Sequence, residues 1–93
     1  MSEEVAIRYE VTGRVQGVGF RAFVSATAKQ YGLKGWVKNH YDGSVRGCVQ
    51  GDRGLVNDFL KQLQIGNRWS SVSGLARTPL SPDSSLQNFE IRY

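Results

Sequence analysis

At 93 residues, with 40% hydrophobic and 22% charged side chains, the chain is long enough for one modest core and too apolar to be disordered. A net charge of +4, spread over scattered Lys and Arg with no run of like charge, favours anionic partners and excludes a basic binding tail. One Cys and one His exclude an internal disulfide and a cysteine-cluster metal site, and no apolar run approaches the ~18 residues that span a bilayer.

The acidic start, Met-Ser-Glu-Glu, leads straight into a strand pattern, so no secretory signal is expected. Val5, Ile7, Tyr9 and Val11 alternate with Ala6, Arg8, Glu10 and Thr12, the period of a half-buried strand. Residues 13–21, Gly-Arg-Val-Gln-Gly-Val-Gly-Phe-Arg, follow it. Glycines at 13, 17 and 19 let the backbone take φ > 0 and approach a ligand closely. From Phe20 the period becomes helical: Phe20, Phe23, Val24, Thr27, Ala28 and Tyr31 share one face, and Gly32 stands where a C-terminal cap belongs.

A glycine-rich loop opening a helix, with Arg21 in the first turn, is an anion cradle built of converging N–H groups and a planar fork of donors. It is not a Walker loop, because no Lys lies between Ala6 and Lys29. It is not the dinucleotide fingerprint either, because the glycine spacing is four then two. On residue types alone, a flexible turn with a solvated arginine remains an equal alternative.

Residues 36–40, Trp-Val-Lys-Asn-His, read as a second strand, Asp42-Gly43 as a hairpin turn, and Ser44 to Gln50 as a third strand with Val45 and Val49 on one face. Asp52 is placed to cap a helix whose stripe is Leu55, Val56, Phe59, Leu60 and Leu63, with Gly66 as its stop. Residues 69–77 form a weak strand diluted by serines. Residues 78–87, with both prolines, read as loop, and 89–93 as a short terminal strand. The order β-α-β-β-α-β plus a C-terminal strand predicts a ferredoxin-like α+β sandwich, two helices on one face of an antiparallel sheet, as a single domain over residues 1–93. Trp36, Phe20 and Phe23 are expected in the core. His40 is expected at the surface, on the opposite face from Asn39, and Cys48 as a small packing residue with nothing to lower its pKa.

Gly35-Trp36-Val37-Lys38-Asn39 before Asp42-Gly43-Ser44-Val45, together with the 13–21 segment, resembles the acylphosphatase family. Both signatures stand in the family's order and spacing, and the element order extends the likeness over nearly the whole chain. Members are small cytosolic enzymes that hydrolyse the carboxyl–phosphate bond of acyl phosphates. The resemblance implies that Arg21 binds the substrate phosphate, that backbone N–H groups of Val15, Gln16, Gly17, Val18, Gly19 and Phe20 hold its oxygens, and that Asn39 positions the attacking water. It also implies a cytoplasmic monomer needing no metal or cofactor, inhibited competitively by its product, inorganic phosphate, with neither nucleic acid nor membrane as partner.

One departure is Gly66-Asn67, where many members carry Gly-Pro. The serine-rich fourth strand and the loop after it are further departures, and all are expected to bear on edge-strand packing and stability, not on the site. Two other readings compete. An RNA-binding module shares the element order, and residues 17–24 echo its aromatic signature, but here that echo opens the first helix while the third strand has no aromatic. A non-catalytic acylphosphatase-like domain, of the kind fused to carbamoyl-transfer proteins, is the other.

Overall fold

The structure, a computed structural model, describes residues 3–93, so the first two residues of the acidic start lie outside it. Strand β1 (Glu4–Arg14) leads to helix α1 (Phe20–Gln30). Strands β2 (Lys34–Asn39) and β3 (Val45–Asp52) form a hairpin, and helix α2 (Arg53–Ile65) is followed by β4 (Ser71–Leu80) and β5 (Phe89–Arg92). The strands lie in one sheet in the order β4-β1-β3-β2-β5. This is the expected ferredoxin-like α+β arrangement, with one correction. β5 runs parallel to β2, so the sheet is mixed and not wholly antiparallel. The cause is the connection. The chain leaves β4 on one edge and crosses the whole sheet end, where Gln50 at the close of β3 exchanges hydrogen bonds of 2.9 and 2.8 Å with the backbone of Asp83. Entering beside Gly35, β5 can only run alongside β2 toward Asn39.

The helix signals act as read. Gly32, at φ 68°, closes α1, its N–H bonding to the Lys29 carbonyl at 3.1 Å. Asp52 caps α2 by accepting from the Leu55 N–H at 3.1 Å. The buried stripe of α2 is Val56, Phe59, Leu60 and Leu63, whereas Leu55, in the first turn, is exposed. β4 reaches Leu80 and absorbs residues read as loop. Pro79 is tolerated there because β4 is an edge strand.

Period-two alternation sends Ile7, Tyr9, Val11, Val37, Val45 and Val49 into the core beneath the helices. Phe20 joins them fully buried, and Phe23 is half-buried. Trp36 does not. It pairs with Cys48 on the opposite sheet face, where the Arg92 guanidinium covers its ring at 4.9 Å. Partial burial pushes the Cys48 thiol above its ordinary pKa, consistent with a packing residue.

Tyr9 anchors the core centre. Its ring meets Phe59 edge-on at 5.7 Å, and its hydroxyl donates to the Trp36 carbonyl at 2.9 Å. Burial holds that hydroxyl neutral, with its pKa raised well above the ordinary value. The ring lies against Gly47, where an added Cβ would overlap the Trp36 carbonyl oxygen and sit 2.6 Å from Tyr9 Cζ. Gly47→Ala is therefore expected to destabilise the fold by about 2–3 kcal/mol, read as a lowered urea midpoint at unchanged slope.

Candidate active site

The 13–21 segment folds as its glycines allow. Gly17 and Gly19 sit at φ 72° and 75°, a region that L side chains rarely adopt, and the chain turns sharply from β1 into α1. Gly19 is the N-cap of α1 and has no side chain with which to bond the first-turn N–H groups, and that turn carries no acidic residue. The positive end of α1 is thus open to an anion. Arg21 stands in that turn. Its Nη1 donates to the Arg92 carbonyl at 3.3 Å, and its guanidinium lies 4.7 Å from the centre of the Tyr93 ring. The parallel course of β5 makes this contact possible, since it delivers Arg92 and Tyr93 to the Asn39 end of the sheet.

Asn39 ends β2 in register with Val45, on the same side of the strand as core-facing Val37. Together with Arg21, Val15, Gly17, Gly19 and Phe20 it lines one cleft of about 190 Å³. Asn39 Oδ1 is buried and without a hydrogen-bond partner. Buried acceptors are nearly always paired, so this one is available to a donor entering the cleft.

Gln16 and Val18 do not line the cleft; they tie the loop to its surroundings. Gln16 Nε2 donates to the carbonyls of His40 at 2.7 Å and Ser44 at 3.0 Å, clamping the loop to the β2–β3 turn. The Val18 carbonyl accepts from Asn67 Nδ2 at 2.8 Å. The Gly66-Asn67 departure, expected to concern edge-strand packing, therefore reaches the loop itself. The roles of the Gln16 side chain, Asn67 and Tyr93 were missed in the sequence, because no local pattern marks a contact across the fold.

The β2–β3 turn is rigid in its own right. Asp42 Oδ1 accepts from the Ser44 hydroxyl at 2.6 Å and the Ser44 N–H at 2.9 Å, while Oδ2 meets Arg46 at 2.8 Å. The Ser44 hydroxyl, then its N–H, hold the Asp42 carboxyl well below the usual carboxylate range. His40 lies just past β2, so strand alternation does not govern it. It is half-buried, with Nδ1 3.0 Å from Asp42 Oδ1. A larger cleft, about 270 Å³, opens on the face away from the helices, but its Glu10 and Arg46 pair with each other at 2.7 Å. Among the described residues no three His, Cys, Asp or Glu side chains are grouped to hold a metal ion, and no helix is long and apolar enough to cross a membrane.

Comparison with known proteins agrees with this geometry. The acylphosphatase family model matches residues 7–91. An acylphosphatase of Koribacter versatilis is 45% identical over 90% of this chain and 76% of its own length. The crystal structure of acylphosphatase from Bacillus subtilis superposes with a TM-score of 0.92 at 36% identity, covering 96% of this chain and 99% of that one. Full-length HypF in its phosphate- and nucleotide-bound form contains a similar unit, TM-score 0.88 at 26% identity, which spans all of this chain but 12% of that protein. With a family match over nearly its whole length, and with the glycine loop, Arg21 and Asn39 gathered in one cleft, the chain belongs to the acylphosphatase family.

Proposed function

We propose that this protein hydrolyses the carboxyl–phosphate bond of acyl phosphates, releasing a carboxylate and inorganic phosphate, with the 190 Å³ cleft as the site. The observation that carries the reading is the unpartnered, buried Asn39 Oδ1 in the same cleft as Arg21 and the Gly17–Gly19 loop. The phosphoryl group rests on backbone N–H groups of the 15–20 loop where it lines the cleft, at Val15, Gly17, Gly19 and Phe20, and Arg21 spreads its fork over the equatorial oxygens. Asn39 Oδ1 accepts a hydrogen bond from the attacking water and so turns the water's lone pair toward phosphorus, in line with the acyl oxygen. The water oxygen–phosphorus bond forms as the phosphorus–acyl oxygen bond breaks. The departing carboxylate is a weak base near neutral pH and needs no general acid. The water's proton passes to a phosphoryl oxygen, so no protein base is required.

The chain acts as a cytoplasmic monomer, one domain over residues 1–93, and needs no metal or cofactor. Two results are expected with benzoyl phosphate as substrate. Activity persists in EDTA, and inorganic phosphate inhibits competitively, while simple phosphate monoesters, with their poorer leaving groups, turn over little. Loss of activity in chelator with recovery on adding a divalent metal would overturn the mechanism. Purely noncompetitive inhibition would remove residues 15–21 from the substrate site.

A further inference from the structure

We infer that Asn67 is a positioning residue for the phosphate cradle, setting the orientation of the Val18–Gly19 peptide from the end of α2. This rests on the reading that residues 15–21 bind phosphate. The bond from Asn67 Nδ2 to the Val18 carbonyl, 2.8 Å long, joins residues 49 positions apart and is the one side-chain hydrogen bond that the Val18 carbonyl receives among the described residues. A trans peptide points its carbonyl and its N–H in opposite directions. A Val18 carbonyl drawn to Asn67 therefore sends the Gly19 N–H the other way, and Gly19 lines the cleft. Val18 stands between two glycines in the left-handed region, where the backbone resists rotation least, so this tether is what fixes the orientation of the peptide.

Asn67 is itself held firmly enough to impose an orientation. Gly66 ends α2 with its N–H on the Gln62 carbonyl at 2.9 Å. The Asn67 N–H then donates to Ser70 Oγ at 2.9 Å, and its carbonyl accepts from the Ser70 N–H at 3.1 Å and hydroxyl at 3.0 Å. Asn67 Oδ1, by contrast, is buried without a partner. A residue there for turn stability alone would gain nothing by burying an amide with one end unpaired, since an unmatched buried acceptor is unfavourable. The arrangement makes sense if the Nδ2 bond is what the position supplies.

The test compares wild type with Asn67→Ala and Asn67→Asp. It measures KM and kcat for benzoyl phosphate, inhibition by inorganic phosphate, melting temperature and amide hydrogen exchange. Asn67→Ala is expected to raise KM and the phosphate inhibition constant together, by about five- to tenfold, the effect of one lost hydrogen bond, with kcat per folded molecule much less changed. Exchange should quicken at residues 17–20 and nowhere in the sheet, a readout that a purely structural role would not move. Asn67→Asp keeps the shape but cannot donate when ionised, so it should weaken phosphate at least as much, and it serves if the Ala variant folds poorly. Phosphate affinity unchanged in either variant overturns the inference. Arg21→Ala, run alongside, separates the two readings. If it loses phosphate while Asn67→Ala keeps it, only the role of Asn67 falls; if both keep it, the cleft is not the phosphate site and both readings fall.

Discussion

Arg21→Ala is expected to lower kcat/KM for benzoyl phosphate by on the order of 10³–10⁵, the range for removing an arginine that neutralises transferring phosphoryl oxygens. Three contributions disappear at once. The cleft loses the only guanidinium among its lining residues, the first turn of α1 loses its charge beside the anion, and the bidentate geometry goes with the fork. Arg21→Lys should recover little. An ammonium is a point charge, and it cannot both face the cleft and retain the Arg92 carbonyl bond and the Tyr93 ring contact that orient the guanidinium. The fold should be nearly unaffected, because Arg21 is partly exposed and donates only one long hydrogen bond, at 3.3 Å. The check is thermal protection by inorganic phosphate. Wild type should melt higher with phosphate present, and Arg21→Ala should not; equal protection of both would show that Arg21 does not hold the anion.

Asn39→Ala separates positioning from binding. If Asn39 orients water and leaves the phosphate to Arg21 and the loop, kcat should fall by on the order of 10²–10³, about 3–4 kcal/mol, while KM and phosphate inhibition stay near wild type. The stability expectation is unusual and follows from the structure. Most buried polar residues destabilise when truncated because a partner is stranded, but Asn39 Oδ1 has no partner to strand. The melting temperature should therefore hold or rise, the pattern of a residue kept for function against stability. A destabilised variant whose folded fraction turns over normally would make Asn39 a packing residue, and kcat per folded molecule decides the matter.

How much of this is legible in the sequence follows from what local pattern encodes. Alternation and helical period report which face a residue presents, so β1, the helix stripes apart from Leu55, and the caps at Gly32, Asp52 and Gly66 are readable. The glycine loop is readable too, because it sits at a strand–helix boundary that the pattern marks, whereas Asn39, inside a strand that reads as 36–40, is singled out only by the resemblance to the acylphosphatase family. Period is silent about which face of the sheet the helices cover, and Trp36 consequently went to the wrong side. It is also silent about strand direction. That β5 runs parallel to β2 depends on a connection that crosses the sheet end. Residues 78–80 read as loop because nothing local says that β4 is an edge, where Pro79 is tolerated. The ties from Gln16, Asn67 and Tyr93 to the site are products of topology, and no window of neighbouring residues contains them.

The ties themselves have a kinetic meaning. Gln16 reaches His40 across 24 positions, Asn67 reaches Val18 across 49, and Arg21 reaches Arg92 across 71. Contacts of that span reward the chain only after large loops have been closed, so they are late arrivals in any ordering of events that starts from local structure. The helix and glycine turn can flicker into shape early, yet the pocket they border has no fixed walls until the hairpin, the end of α2 and the last strand have all docked. Catalytic competence is therefore expected to arrive last as this chain folds and to go first as it comes apart.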